Sequence, residues 1–116
     1  MTTFVLVHGA FHGAWCWTRL IPEIEKRGHR AVAFDMPGNG EDRTPHEQVT
    51  LEGYAQRIGV ALNAEKEPVV LVGHSLGSMA VSLATERFHD RIHRLVYLAG
   101  CVPTDGHSLY TFMETM

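Results

Sequence analysis

The residues best placed for chemistry in this 116-residue chain are Gly73, His74, Ser75, Leu76 and Gly77, inside the run "VVLVGHSLGSM". A serine between two glycines, directly after four apolar residues, has the spacing of a sharp strand-to-helix turn that projects a hydroxyl. The glycines permit close backbone approach and strained dihedrals. A helix starting just after the serine aims its N-terminal dipole at the same point, which favours developing negative charge. The chemistry this suits is nucleophilic attack by Ser75 on a carbonyl. A phosphate-binding turn or a plain tight turn is the competing reading. Against it, the loop after the first apolar run reads "HGAFHG" and not Gly-x-Gly-x-x-Gly, and no Gly-x-x-x-x-Gly-Lys-Ser/Thr occurs.

These residues need elements to hold them, and the hydropathy pattern supplies a set. Short apolar runs at 4–7, 31–34, 69–72 and 94–99 read as strands. Between them lie amphipathic stretches. Residues 15–27 have helical spacing, with Trp17, Leu20, Ile21 and Ile24 able to share a face, a kink or restart near Pro22, and a stop at Gly28. Thr50 is expected to cap a helix running to about Asn63, whose apolar members are Leu51, Tyr54, Ala55, Ile58, Ala61 and Leu62. Residues 76–88 form the next helix, with Leu76, Met79, Ala80, Leu83 and Ala84 on one side. "DMPGNG" and "EDRTPHEQVT" read as loops.

Strands alternating with helices imply an α/β fold with a mostly parallel sheet and crossover helices, about four strands and three to four helices. Near-continuous apolar strands fit a sheet covered on both faces. The length suits one domain. In such sheets ligands bind where strands end at their C-termini, which is where "HGAFHG", "DMPGNG" and "GHSLG" lie.

Composition narrows the class. With 45% hydrophobic and 20% charged residues the chain is ordinary for a globular protein, and a net charge of −3 disfavours nucleic-acid binding. Two cysteines, Cys16 and Cys101, are too few for a disulfide framework and suit a reducing cytoplasm. No basic, apolar leader opens the sequence and no apolar run reaches the length of a membrane span, so no membrane association is expected. The eight histidines lack the helical spacing with carboxylates of a zinc site, so no metal is expected.

Taken jointly, "FVLVHGAFHGAWCW", "GHRAVAFDMPGNG", "TLEGYA", "VVLVGHSLGSMA" and "RIHRLVYLAGCVP" resemble the α/β-hydrolase superfamily, in its methylesterase and hydroxynitrile-lyase-like branch, over residues 4–103. The resemblance implies Ser75 as nucleophile, and the backbone N–H groups of Leu76 and Ala10 as oxyanion-hole donors, with Phe11 the adjacent alternative for the second. It implies acyl transfer from a small-molecule ester to water, with no cofactor. It leaves open a hydroxynitrile lyase on the same site, and leaves substrate and oligomeric state unread. "GS" stands after Gly77's predecessors where many relatives carry two glycines, and His89 where proline is common.

The resemblance also implies an order of nucleophile, then acid, then histidine. Asp105 follows the fourth strand, where some relatives place the acid, although loop aspartates are common for turn reasons. His107 is too close to Asp105 to be held by it and also reach Ser75. His74 should point away from Ser75 and pack beside the loops. His8 and His12 could line a pocket, but suit hydrogen-bonded loop histidines better. Trp15, Cys16 and Trp17 fit helix packing better than a cofactor box. The expectation is therefore that residues 1–116 are the N-terminal part of one hydrolase domain, with C-terminal strands, cap, acid and histidine missing. Such a chain would be inactive alone, or a non-catalytic binding module.

Overall fold

The computed structural model describes residues 1–9 and 12–98. Four strands, β1 (Thr3–Val7), β2 (Arg30–Ala33), β3 (Val69–His74) and β4 (Ile92–Leu98), form one parallel sheet in the order β2-β1-β3-β4. Three α-helices, α1 (Leu20–Lys26), α2 (Leu51–Asn63) and α3 (Gly77–Phe88), connect them. The fold is α/β, as the alternation of runs predicts.

Alternate residues of each strand enter two apolar layers, which is why the strands read as continuous apolar runs. Val5, Val7, Val69 and Leu71 face α2 and α3, meeting Ala55, Ile58, Leu62, Ala80, Val81 and Ala84. Leu6, Val70 and Val72 face the other way, against Trp17, Ile21 and Ile24. The crossover through α1 therefore lies on one face and those through α2 and α3 on the other. The chain leaves β1 outward to β2, then returns past it to β3. The strand order thus reverses between β1 and β3, and that crevice is where open parallel sheets place ligands.

Several local details follow from side-chain chemistry. Thr50 Oγ1 accepts a hydrogen bond from Gly53 N–H at 2.9 Å, capping α2 as expected. The last turn of α1 closes with Gly28 N–H to Glu25 O at 3.0 Å and His29 N–H to Ile24 O at 3.3 Å, the paired bonds of a Schellman stop. Arg91 donates to the Leu62 and Glu65 carbonyls at the end of α2.

Three expectations are corrected. Residues 15–27 restart near Pro22 as expected, but the first piece is a 3₁₀ turn at Ala14–Trp17 ahead of a separate α1, so the four apolar residues do not share one helical face. Pro22 is the third residue of α1, where the missing N–H has no intrahelical acceptor to lose. The tighter turn and the break shift the helical phase, leaving Leu20 39% and Trp15 59% exposed while Trp17 is buried. Leu51 also sits outside the core, at the first turn of α2. In β4, Leu95 and Tyr97 pack on the core, but Val96 and Leu98 on the opposite face are 40% and 44% exposed among the described residues.

Replacing Thr50 with Ala should cost about 1 kcal/mol, the typical worth of an N-cap. Urea unfolding of Thr50→Ala checks this, with the midpoint lowered and the slope unchanged. An unaltered midpoint would show that the cap does not hold α2.

Candidate active site

β3 ends in a turn that the backbone strains deliberately. Ser75 has φ +53°, the sole non-glycine in the left-handed region among the described residues. That conformation costs a residue with a Cβ about 1–2 kcal/mol. Its neighbours impose it. Ser75 N–H donates to Leu98 O on β4 at 3.2 Å. Its carbonyl accepts from Ser78 N–H at 3.0 Å and from Ser78 Oγ at 2.5 Å. The side chain of Ser75 is left exposed at the crevice.

The flanking glycines serve close approach, and the strain falls on the serine itself. A Cβ at Gly77 would stand 2.7 Å from His8 O and 3.0 Å from Val7 O, so the start of α3 rests directly on the end of β1. A Cβ at Gly73 would stand 2.6 Å from Val81 Cγ2. Neither glycine lies at positive φ.

The loop after β1 meets the same turn. A Cβ at Gly9 would be 3.0 Å from His74 O and 3.1 Å from the Ser75 Cβ, so Gly9 and Ser75 are neighbours across the crevice. His8 is 3% exposed and bonded at both ring nitrogens. Nε2 accepts from Met36 N–H at 3.0 Å, so Nδ1 carries the proton and donates to Gly9 O at 2.8 Å. Burial pushes the His8 imidazole below its ordinary 6.5, favouring this neutral form. Met36 lies in the loop after β2, so His8 ties the loops after β1 and β2 together.

Asp35 does the same from the other side, and sequence reasoning passed over it within a loop. Its Oδ1 accepts from Ala14 N–H at 2.8 Å and its Oδ2 from Glu41 N–H at 3.0 Å. These bonds hold its carboxyl below the usual range, the Ala14 N–H contributing most. The available signal was an acid at the C-terminal end of a parallel strand, where loops need anchoring.

His74 packs its ring against His12 and Trp17, at centroid distances of 5.8 Å and 6.2 Å, and the stack of His12 on Trp15 at 5.3 Å continues the cluster. Ser75 Oγ has no hydrogen-bond partner among the described residues. Beside the serine opens a cleft of about 440 Å³ between Leu76, His12, the 37–40 loop, Val49 and Tyr54. Asn39 Nδ2 donates to Tyr54 Oη at 2.7 Å and to Pro37 O at 3.0 Å, bracing its wall. Asp42 Oδ1 accepts from Gly38 and Thr44 N–H, each at 2.9 Å. With the Thr44 hydroxyl the strongest influence, the Asp42 carboxyl is lowered to about 2. Ala10, Phe11, Cys101, Asp105 and His107 lie outside the described residues.

Comparison with known proteins matches the alpha/beta hydrolase family model over residues 4–114. The chain is 43% identical over 114 residues to the probable esterase PIR7A of Oryza sativa subsp. indica, covering 96% of this chain and 43% of that protein. It is 41% identical over 115 residues to salicylic acid-binding protein 2 of Nicotiana tabacum, covering 96% of this chain and 44% of that one. Among solved structures, polyneuridine aldehyde esterase superposes with a TM-score of 0.88 at 34% identity, covering 98% of this chain and 46% of the other. The chain therefore spans less than half the length of these relatives.

The His8 bonds predict an acid sensitivity. Its folded pKa is below the unfolded value of 6.5, so the folded state binds fewer protons as pH falls through that region. His8's contribution to stability is whole above pH 6.5 and declines as pH drops below it. A ¹⁵N NMR titration should find the Nδ1–H tautomer at neutral pH and a midpoint below 6.5 for His8. A midpoint at or above that value contradicts the buried bridge.

Proposed function

The chain belongs to the alpha/beta hydrolase family, and we propose that it carries the nucleophile and oxyanion half of a serine-dependent ester hydrolase acting on small-molecule esters. The observation that carries this reading is the exposed, strained Ser75 at the β1–β3 crevice, beside a cleft and at the start of α3. The names of the relatives, esterases and methylesterases among them, support the substrate class.

In this reading Ser75 Oγ attacks the ester carbonyl. The carbonyl oxygen gains negative charge and is received by Leu76 N–H, which has no acceptor among the described residues, and by Ala10 N–H from the loop after β1. The α3 dipole favours the same charge. Collapse of the tetrahedral adduct expels the alcohol and leaves an acyl-serine, which water then opens to the acid. Each oxyanion donor is worth roughly 3–4 kcal/mol of barrier. No step requires a cofactor.

The proton of Ser75 needs a base. His8 has both nitrogens engaged, and Ser75 Oγ meets no hydrogen-bond partner among the described residues. The reading therefore assigns the acid and histidine to residues outside those described, with residues 1–116 forming part of a single hydrolase domain completed by further chain. The span of less than half of its relatives supports that division.

Hydrolysis of p-nitrophenyl acetate by the 116-residue chain, by the same chain completed with a C-terminal half, and by the Ser75→Ala variant of each tests both parts. Without its base the 116-residue chain should hydrolyse no faster than its Ser75→Ala variant, both near the residual ~10³–10⁴-fold over water that a triad site retains, and the completed chain should turn over far faster and only with Ser75. Equal rates for the completed chain and its Ser75→Ala variant would sink the nucleophile assignment. Vigorous Ser75-dependent turnover by the 116-residue chain would instead show that the base lies within it.

A further inference from the structure

Ser78 is fully buried in the first turn of α3 and has no place in the chemistry above. Its position relative to the strained turn gives it one. Two of its donors converge on a single acceptor, the Ser75 carbonyl: Oγ at 2.5 Å and the backbone N–H at 3.0 Å. That carbonyl belongs to the peptide unit joining Ser75 to Leu76. A peptide unit is planar, and in its trans form the C=O and N–H point in opposite directions. Whatever fixes the Ser75 carbonyl therefore aims the Leu76 N–H. Donors at a carbonyl also polarise the amide behind it, strengthening the N–H as a donor through hydrogen-bond cooperativity.

We infer that Ser78 is a positioning residue for the oxyanion site, whose hydroxyl, held on the Ser75 carbonyl, orients and strengthens the Leu76 N–H. The inference rests on the reading of Ser75 as nucleophile. It explains two features together. The left-handed Ser75 is held on one side by its N–H on Leu98 O, and the Ser78 pair supplies a restraint on the far side of the turn. The Leu76 N–H has no acceptor among the described residues, its residue lines the cleft, and the Ser78 pair holds the opposite end of its peptide. The Gly9 carbonyl, which precedes the other candidate donor, is held in the same manner by two donors, His8 Nδ1 at 2.8 Å and His12 N–H at 3.3 Å. Each candidate oxyanion peptide is thus gripped from behind by its carbonyl.

An ordinary helix-start serine also bonds back to a nearby carbonyl, so the test must read Leu76 and not merely stability. Three variants suffice. Ser78→Ala removes the hydroxyl and leaves the N–H. Ser78→Cys keeps the volume with a much weaker donor. Ser82→Ala removes a hydroxyl from the same helix that donates to Ser78 O at 2.7 Å and not to Ser75. In ¹H–¹⁵N NMR of the 116-residue chain, the Leu76 amide proton should move upfield in Ser78→Ala and Ser78→Cys, and stay in place in Ser82→Ala. In the chain completed with a C-terminal half that supplies the base, the Ser75 acylation rate with p-nitrophenyl acetate should fall about tenfold in the two Ser78 variants, part of the 10²–10³ lost with a whole donor, with the concentration dependence unchanged. An unmoved Leu76 amide, or an equal shift in Ser82→Ala, overturns the inference while leaving the nucleophile reading intact. A Ser75 that takes no acyl group in the completed wild-type chain fails that reading, and the oxyanion role of Ser78 goes with it.

Discussion

Everything at this site depends on how closely α3 can start against the end of β1. The parallel pairing of β1 with β3 runs from Phe4↔Val70 to Val7↔Gly73, which brings the two strand ends level. One residue later the chain must turn into a helix, and only the absence of a side chain at Gly77 lets that helix rest on the Val7 and His8 carbonyls. The turn then has no slack, and the strain appears at Ser75, whose left-handed backbone lifts its hydroxyl out of the sheet. Gly9 on the β1 side closes the crevice to the same tolerance. The strand-order reversal between β1 and β3 explains why these two loops, separated by more than sixty residues of sequence, share one opening.

Polar bonds with single solutions keep the loops in register. His8 can serve both Met36 N–H and Gly9 O only as the Nδ1–H tautomer. Asp35 spends its two oxygens on Ala14 and Glu41. Together they lock the loops after β1 and β2, and the cleft wall formed by residues 37–40 follows from that lock. Ion pairs such as Lys26 with Glu23, exposed on both sides, and Arg30 with Glu65, whose arginine is exposed, add little by comparison.

Much of the fold was legible in the sequence because both-face burial writes strands as continuous apolar runs and α2 carries its own cap at Thr50. The α/β class, the strand positions and the serine turn followed from those patterns. Hydropathy periodicity misplaced Leu20 and Trp15 because it assumes one helical phase, and a 3₁₀ turn with a break resets that phase. Asp35 and Ser78 were invisible for a different reason. Their roles are set by which backbone groups come near in three dimensions, and a loop aspartate or a helix serine looks the same whether or not a carbonyl or an N–H of the site is its partner. The expected functions of the glycines around Ser75 were also divided differently from the pattern, with close approach at the glycines and the strained dihedral on the serine.

The proposed chemistry depends on Ser75 acting as nucleophile and Leu76 N–H as donor. The most direct measurement is a crystal structure of the chain, completed with a C-terminal half that supplies the base, after reaction with an aryl fluorophosphonate. The prediction is a single adduct on Ser75 Oγ with a phosphoryl oxygen about 3 Å from the Leu76 nitrogen. An adduct on another residue, or a phosphoryl oxygen turned away from Leu76, contradicts it.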